Sequence, residues 1–372
     1  MSRLANFFSF PATSSRRNFG LDFFRALALS LAIIGHCFNF FQYSYPGIFH
    51  WFFLFRDAVE MFFVLSGFLI GNMLFKLSGP DDKITWPFLK DFFKRRWFKT
   101  LPAYYVAIGV NLLAGYFLWD TLLQGFSWRF FVFTQNVTRA DFYFLPVSYS
   151  LSIEEWFYLL LPASLLLLQW IKPTLSISKR ILLVAGVFIL AFNGIRWYAY
   201  ATRMPDLAWD MQMRKSIITR LDVSMYGVLA AWCFNLYKTQ FFRFKYLAFI
   251  AGLTLFGFSL YMRVNYSLSF YTYVLYFSAV PIAFALWLPL LYQLNIKEGF
   301  LRRTITYISL TSYSYYLLHL SPILFLMMHF WPAQTVAESF LEVGVFLCFS
   351  FACSHVLYTC VEKPIMDLRD KV

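Results

Sequence analysis

The segment LDFFRALALSLAIIGHCFNFFQ, residues 21–42, decides the fold of this 372-residue chain. It is long and apolar enough to cross a bilayer as a helix, for which about 20 residues suffice. Two arginines precede it, but it lacks a small-x-small cleavage site and contains Asp22, Arg25 and His36. We therefore interpret it as a retained transmembrane helix and not as a cleaved signal peptide.

The composition of the whole chain agrees with this interpretation. Sixty per cent of the residues are hydrophobic and 14% are charged, whereas about 25% of the residues of a soluble domain are charged. Phe alone contributes 48 residues. A water-soluble fold could not bury so much apolar surface, so the sequence predicts an all-α polytopic membrane protein.

Ten apolar stretches have the length of a membrane span, whereas the segment 126–135 is too short and is predicted to lie at an interface. We expect a tail at 1–20, one membrane-embedded domain at 21–362 and a second tail at 363–372. The predicted spans are 21–42, 58–75, 97–119, 151–170, 181–200, 217–237, 245–262, 270–292, 305–330 and 338–360.

The basic residues predict the orientation of these spans. With ten spans, 22 Lys and Arg residues fall on the side of the termini and 7 on the opposite side. Because cytoplasmic loops are enriched in Lys and Arg, both termini are predicted to be cytoplasmic. The net charge of +13 is spread over short loops without a nucleic-acid-binding motif, which excludes nucleic acid as a partner.

The cysteines give no evidence of a disulfide framework or a zinc site, because they are odd in number and lack the paired spacing of metal ligands. We expect them to be packing residues. They are Cys37, Cys233, Cys348, Cys353 and Cys360.

Arg25 and His36 are the first candidates for a functional site, because ionisable residues at membrane depth are costly. They are eleven positions apart in the sequence, which places both side chains on one face of a helix, about 16 Å apart along its axis. This layout would suit an extended substrate, with a cation towards one membrane face and a base towards the other. The alternative is a snorkelling arginine and an interfacial histidine without a catalytic role.

Glu60 lies one turn inside the second predicted span, and the small pair Ser66-Gly67 follows. If this helix runs antiparallel to the first, Glu60 lies at the depth of His36 and can orient the imidazole as a general base. The alternative is an ion pair of Glu60 with Arg56, four residues earlier.

Further charged residues lie near the predicted ends of spans. The cations of DFFKRRWFKTLPAYY, residues 91–105, either determine topology or bind the phosphates of a nucleotide-bearing donor. Glu154 and Glu155 point about 100° apart on a helix, so at most one of them is expected to face the centre of the bundle.

Two further polar positions remain. Asp222 follows Arg220 in the sequence, which suggests a short-range charge pair. His319 lies deep in a predicted span, and a histidine in such a position is more often a structural residue than a second base.

Seven motifs in register resemble the family-3 membrane acyltransferases, which acylate glycans and related acceptors. The resemblance extends from about residue 20 to residue 364. The motifs are RALALSLAIIGH (25–36), VEMFFVLSGFLI (59–70), RRWFKTLPAYY (95–105), SLSIEEWFYLLLP (150–162), RLDVSMYG (220–227), SYSYYLLH (312–319) and VEKP (361–364).

The resemblance implies a ten-helix core that takes an acyl group, usually acetyl, from cytoplasmic acyl-CoA. The acceptor is usually a sugar hydroxyl on the opposite side of the membrane. It also implies roles for single residues. In order these are His36 as the base, Glu60 as its acidic partner, Glu154 as a member of the site, Arg25 in the donor channel, and Arg95, Arg96 and Lys99 on the CoA phosphates. We expect no metal, because a thioester is electrophilic enough to react with a hydroxyl that a positioned base deprotonates.

The chain departs from the family pattern at three positions. Lys99 replaces an arginine, and a lysine cannot bind a phosphate through two parallel hydrogen bonds as an arginine does. Glu60 replaces the commoner aspartate, and VEKP replaces the commoner Glu-Arg-Pro. The resemblance does not extend to the extracytoplasmic esterase-like domain that some members carry. Because His36 is retained, we expect an active enzyme.

The leading hypothesis is therefore an acetyl-CoA-dependent O-acetyltransferase in the bacterial inner membrane. Its acceptor would be a surface glycan, such as lipopolysaccharide O-antigen or an exopolysaccharide, or a lipid-linked precursor. Membrane lipids would be further partners. The sequence does not determine the oligomeric state, and a homo-oligomer is compatible with it. Two alternatives are a flippase of a lipid-linked glycan, which should show inverted repeats, and a non-catalytic partner of a glycan synthase.

Overall fold

The computed structural model describes residues 17–48, 55–77, 83–140, 142–203, 206 and 208–369. Within these ranges the chain forms ten helices of 14 residues or more and no strand. They are α1 (Phe19–Cys37), α2 (Ala58–Leu77), α3 (Trp86–Phe117), α4 (Ser148–Ile171), α5 (Ile177–Arg203), α6 (Val223–Leu236), α7 (Lys245–Asn265), α8 (Tyr276–Tyr292), α9 (Phe300–Leu318) and α10 (Val336–Leu357).

Nine helices of the described chain are long and apolar enough to cross a membrane, and the prediction of an all-α polytopic membrane protein is confirmed. The remaining predicted span, 305–330, overlaps α9, whose sequence is more polar than that of the other nine helices. Most serine and threonine side chains of α9 are buried inside the bundle. They lower its mean hydropathy, so a criterion based on hydropathy does not identify α9 as a membrane span. Its continuation has a non-helical residue at Ser321, and helix returns at Phe325–Phe330.

Two predicted boundaries differ from the observed ones. The predicted span 97–119 overlaps α3, which begins earlier, at Trp86, and ends at Phe117, so the cations that precede the predicted span are helical. Thr85 explains this early start, because its side chain accepts a hydrogen bond from the backbone of Phe88 and caps the helix. At the other end of the chain, helix continues from α10 to Arg369, into the predicted tail at 363–372.

The remaining tail residues, 1–16 and 370–372, lie outside the described residues. The cytoplasmic location of the termini stays a prediction.

The first helix defines the two ends of the bundle. At its start, Asn18 caps the helix by accepting from the backbone of Leu21, and its amide donates to the carbonyl of Tyr292 at 3.1 Å. After its last turn, the carbonyl of Phe40 accepts from the hydroxyl of Ser339 at 2.9 Å. We call the end that contains Asn18 the near end and the end that contains Phe40 the far end.

Helices α2 and α6 approach closely at two glycines. A Cβ atom on Gly67 would lie 1.9 Å from the carbonyl oxygen of Ser224, and one on Gly227 would lie 2.0 Å from that of Val64. This contact explains the small pair Ser66-Gly67, because small residues let transmembrane helices pack against each other.

The outer helices present apolar side chains to their surroundings. Leu190 on α5 and Leu247 on α7 are 75% and 66% exposed. Such surfaces fit a lipid environment, and the protein is an integral multi-pass membrane protein.

Candidate active site

Two cavities with charged side chains in their lining lie among the described residues, one nearer each end of the bundle. The near-end cavity has a volume of about 100 Å³ and contains Arg25. The far-end cavity has a volume of about 240 Å³ and contains His36. Val59 and Tyr316 line both cavities and separate them. The sequence-based expectation that one face of α1 serves both ends of a site is consistent with this arrangement.

The near-end cavity brings together four of the predicted site residues. They are Arg25, Arg96, Lys99 and Glu154. Arg96 and Lys99 are three residues apart on α3 and therefore project from the same face.

Arg95, which the sequence analysis grouped with Arg96 and Lys99, does not line this cavity. It is the neighbour of Arg96 and points about 100° away. Its guanidinium forms an ion pair with Asp91 at 2.7 Å on an exposed face of the helix.

Glu154 and Glu155 face different partners, as their angular separation predicted. The Tyr158 hydroxyl donates to the Glu154 carboxylate at 3.1 Å and is bonded to the Ser66 hydroxyl at 2.5 Å. The guanidinium of Arg96 lies 5.0 Å from the Tyr158 ring centre. Glu155 instead accepts from the Thr100 hydroxyl at 3.0 Å. Of the two carboxylates, Glu154 lines the cavity and Glu155 does not.

The far-end cavity contains a charge cluster that the sequence analysis missed. Asp210 forms ion pairs with Arg56, with Arg214 at 2.7 Å and with Lys215 at 2.5 Å. Burial, together with the charges of Arg214 and Arg56, lowers the pKa of Lys215 to about 6. The signal in the sequence was the density of charge at 210–215, of which Arg214 and Lys215 entered the sequence-based prediction only as topology determinants.

His36 has a second histidine beside it. The ring centre of His319 lies 5.1 Å from that of His36. Nδ1 of His319 lies 3.1 and 3.0 Å from the carbonyl oxygens of Tyr315 and Tyr316, so we assign the proton to Nδ1 as a donor. Nε2 of His319 is buried and has no hydrogen-bond partner among the described residues.

The structure does not bring Glu60 to His36 or to Arg56. Its carboxylate forms a buried ion pair with Arg220, which is 160 residues away in the chain. A buried carboxylate is costly unless a charged or hydrogen-bonding partner compensates it. The partner of Glu60 comes from the segment before α6, which the neighbouring residues in the sequence do not indicate.

The predicted Arg220–Asp222 pair is also wrong. Arg220 is paired with Glu60, and Asp222 accepts two hydrogen bonds from Arg196 at 2.8 and 2.7 Å. The two parallel hydrogen bonds between Arg196 and Asp222 suit the planar guanidinium group. A contact between Arg220 and Asp222, two residues apart along a turn, would suit it less well.

No group of three or more His, Cys, Asp or Glu side chains in the described part of the chain could hold a metal ion.

Comparison with known proteins identifies the family. Residues 18–359 match the family described as the acyltransferase domain of the family-3 acyltransferases. The chain is 28% identical over 270 residues to the peptidoglycan O-acetyltransferase OatA of Listeria monocytogenes, an alignment that covers 63% of this chain and 41% of that protein. No solved structure matches the chain. The protein belongs to the family-3 acyltransferases.

Proposed function

We propose that the protein is an O-acetyltransferase that moves an acetyl group from cytoplasmic acetyl-CoA to a hydroxyl of a cell-surface glycan. The observation that carries this proposal is the pair of adjoining cavities, one lined by cations and the other by His36. The relative from Listeria, a peptidoglycan O-acetyltransferase by name, supports the same reaction class.

The near-end cavity is the proposed donor site. Arg25, Arg96 and Lys99 supply positive charge for the phosphates of CoA. The predicted cytoplasmic location of the termini places this end on the side where acetyl-CoA is found. The thioester would then lie towards Val59 and Tyr316, at the boundary with the far-end cavity.

The far-end cavity is the proposed acceptor site. His36 takes the proton from the acceptor hydroxyl, and the oxygen attacks the thioester carbonyl carbon. The C–O bond forms, the C–S bond breaks, and the proton held by His36 neutralises the departing thiolate. A thioester is electrophilic enough for this step to need only a positioned base and a partner for the developing oxyanion.

The test is acetyl transfer from radiolabelled acetyl-CoA by purified wild-type protein and the His36→Ala variant. Loss of a general base lowers turnover by about 100- to 10,000-fold, and we expect a loss in this range. The matched control is His329→Ala, since His329 stacks on Trp119 and lines neither cavity. Normal transfer by His36→Ala would contradict the assignment of the base, and a wild type that consumes no thioester would favour the flippase alternative.

A further inference from the structure

The charges that line the far-end cavity do not balance. Three basic side chains, those of Arg56, Arg214 and Lys215, share one carboxylate, Asp210. All four residues line the cavity, together with His36. When all three are protonated, the described lining therefore has more positive than negative charge.

Other buried ion pairs near this cavity are balanced. Glu60 pairs with Arg220, Asp222 with Arg196, and Asp57 with Arg263. Each contact joins one cation to one anion, as expected because an uncompensated buried charge is costly. Compared with these three described pairs, the surplus is specific to the cluster around Asp210.

Aromatic side chains hold the cationic side chains of this cavity in position. Arg214 donates to the Tyr149 hydroxyl at 2.8 Å, and its guanidinium lies 5.3 Å from the centre of that ring. Arg56 lies 5.1 Å from the ring centre of Trp209. These contacts fix the cations before a ligand arrives, which reduces the entropic cost of binding.

The lowered pKa of Lys215 agrees with a surplus of this kind. Its amine loses its proton more easily because it is buried beside two guanidinium groups. A bound anion would favour the charged amine again, so the cavity is suited to a ligand that brings a negative charge.

We propose that the far-end cavity binds an anionic group of the acceptor, a carboxylate or a phosphate, and so selects acidic glycans over neutral ones. The space of about 240 Å³ accommodates such a group beside a sugar hydroxyl. Because His36 lines the same cavity, the anion would place the hydroxyl at the base. This inference rests on the proposed function for its substrate, but the binding it predicts can be measured without catalysis.

The test is equilibrium binding to the purified protein in the absence of acetyl-CoA. Two pairs of probes are compared: a glucuronate-containing disaccharide with its methyl ester, and a sugar 1-phosphate with the free sugar. We expect the charged member of at least one pair to bind about tenfold or more tightly, as for a hydrogen bond between charged groups. Preference for the carboxylate indicates an acid of the glycan itself, and preference for the phosphate indicates a phosphorylated precursor.

Variants show whether the cavity is responsible. Lys215→Gln and Arg214→Gln should abolish the preference for the charged probe, and Lys215→Arg should retain it. The control Arg129→Gln removes an exposed cation at the same end, outside the cavity, and should change nothing.

Equal binding of both members in both pairs would overturn the proposal, as would an equal effect of Arg129→Gln and Lys215→Gln. Failure of the proposed function would be seen separately, as absence of acetyl transfer by a wild type that still binds the acidic probe.

Discussion

The two cavities resemble each other in charge but differ in how that charge is held. Each has three basic side chains and one carboxylate in its described lining. In the far-end cavity the carboxylate of Asp210 contacts all three cations. In the near-end cavity the carboxylate of Glu154 accepts from Tyr158 instead. Under the proposed function, the near-end cations would bind the phosphates of the donor, whereas the partly neutralised cations at the far end would hold an acceptor that must leave after each turnover.

Val59 and Tyr316 are the residues on which this division depends, because they line both cavities. A Val59→Trp substitution should fill the boundary between them. We expect at least about a 100-fold loss of acetyl transfer, since displacement of reacting groups by about 1 Å can cost that much. Binding of acetyl-CoA at the near end should persist.

The control for this variant is Val187→Trp, because Val187 is 63% exposed on the outside of the bundle. It should transfer acetyl groups at the wild-type rate. If Val59→Trp were equally active, the acyl group would have to take a route that does not cross this boundary.

Neighbouring arginines on α3 test the near-end cavity alone. Arg96→Ala should raise the KM for acetyl-CoA about 10- to 100-fold, the cost of one hydrogen bond between charged groups. Arg95→Ala is the matched control, because Arg95 pairs with Asp91 outside the cavity. Steady-state kinetics with varied acetyl-CoA measure the difference. Equal effects of the two variants would contradict the placement of the donor phosphates.

His319 tests the far-end cavity with a smaller effect. Its Nδ1 donates to backbone carbonyls and its ring lies beside His36, so we expect it to position His36 and not to replace it. His319→Ala should lower kcat about tenfold, less than His36→Ala, with the KM for acetyl-CoA unchanged. A loss as large as that of His36→Ala, at an equal protein level in the membrane, would assign a direct role to His319.

Much of the fold could be predicted because apolar stretches of span length are visible in the sequence without knowledge of tertiary contacts. The exception is α9, whose buried serines and threonines lower its hydropathy although it lies inside the bundle. The buried hydroxyl groups of α9 find hydrogen-bond partners in distant parts of the chain, as in the bond that Ser314 donates to Glu362 at 2.7 Å. No local pattern in the sequence indicates such partners.

The candidate site was predictable only where one helix or one motif carries it. Helical spacing predicted that Arg25 and His36 share a face of α1. Arg96 and Lys99 were predicted from the family motif, and they share a face of α3. Spacing could not show that Glu60 pairs with Arg220 or that Arg56 meets Asp210. Those contacts join segments more than 150 residues apart, and they depend on how the helices pack.

The central claim is that the acetyl group enters from the near end and leaves from the far end. Its most direct test is reconstitution of the wild-type protein in vesicles of one orientation, with acetyl-CoA on one side and the acceptor on the other. We predict acetylated acceptor only when acetyl-CoA is on the side of the termini and the acceptor is on the opposite side. Equal product with acetyl-CoA supplied to the far end would contradict the claim.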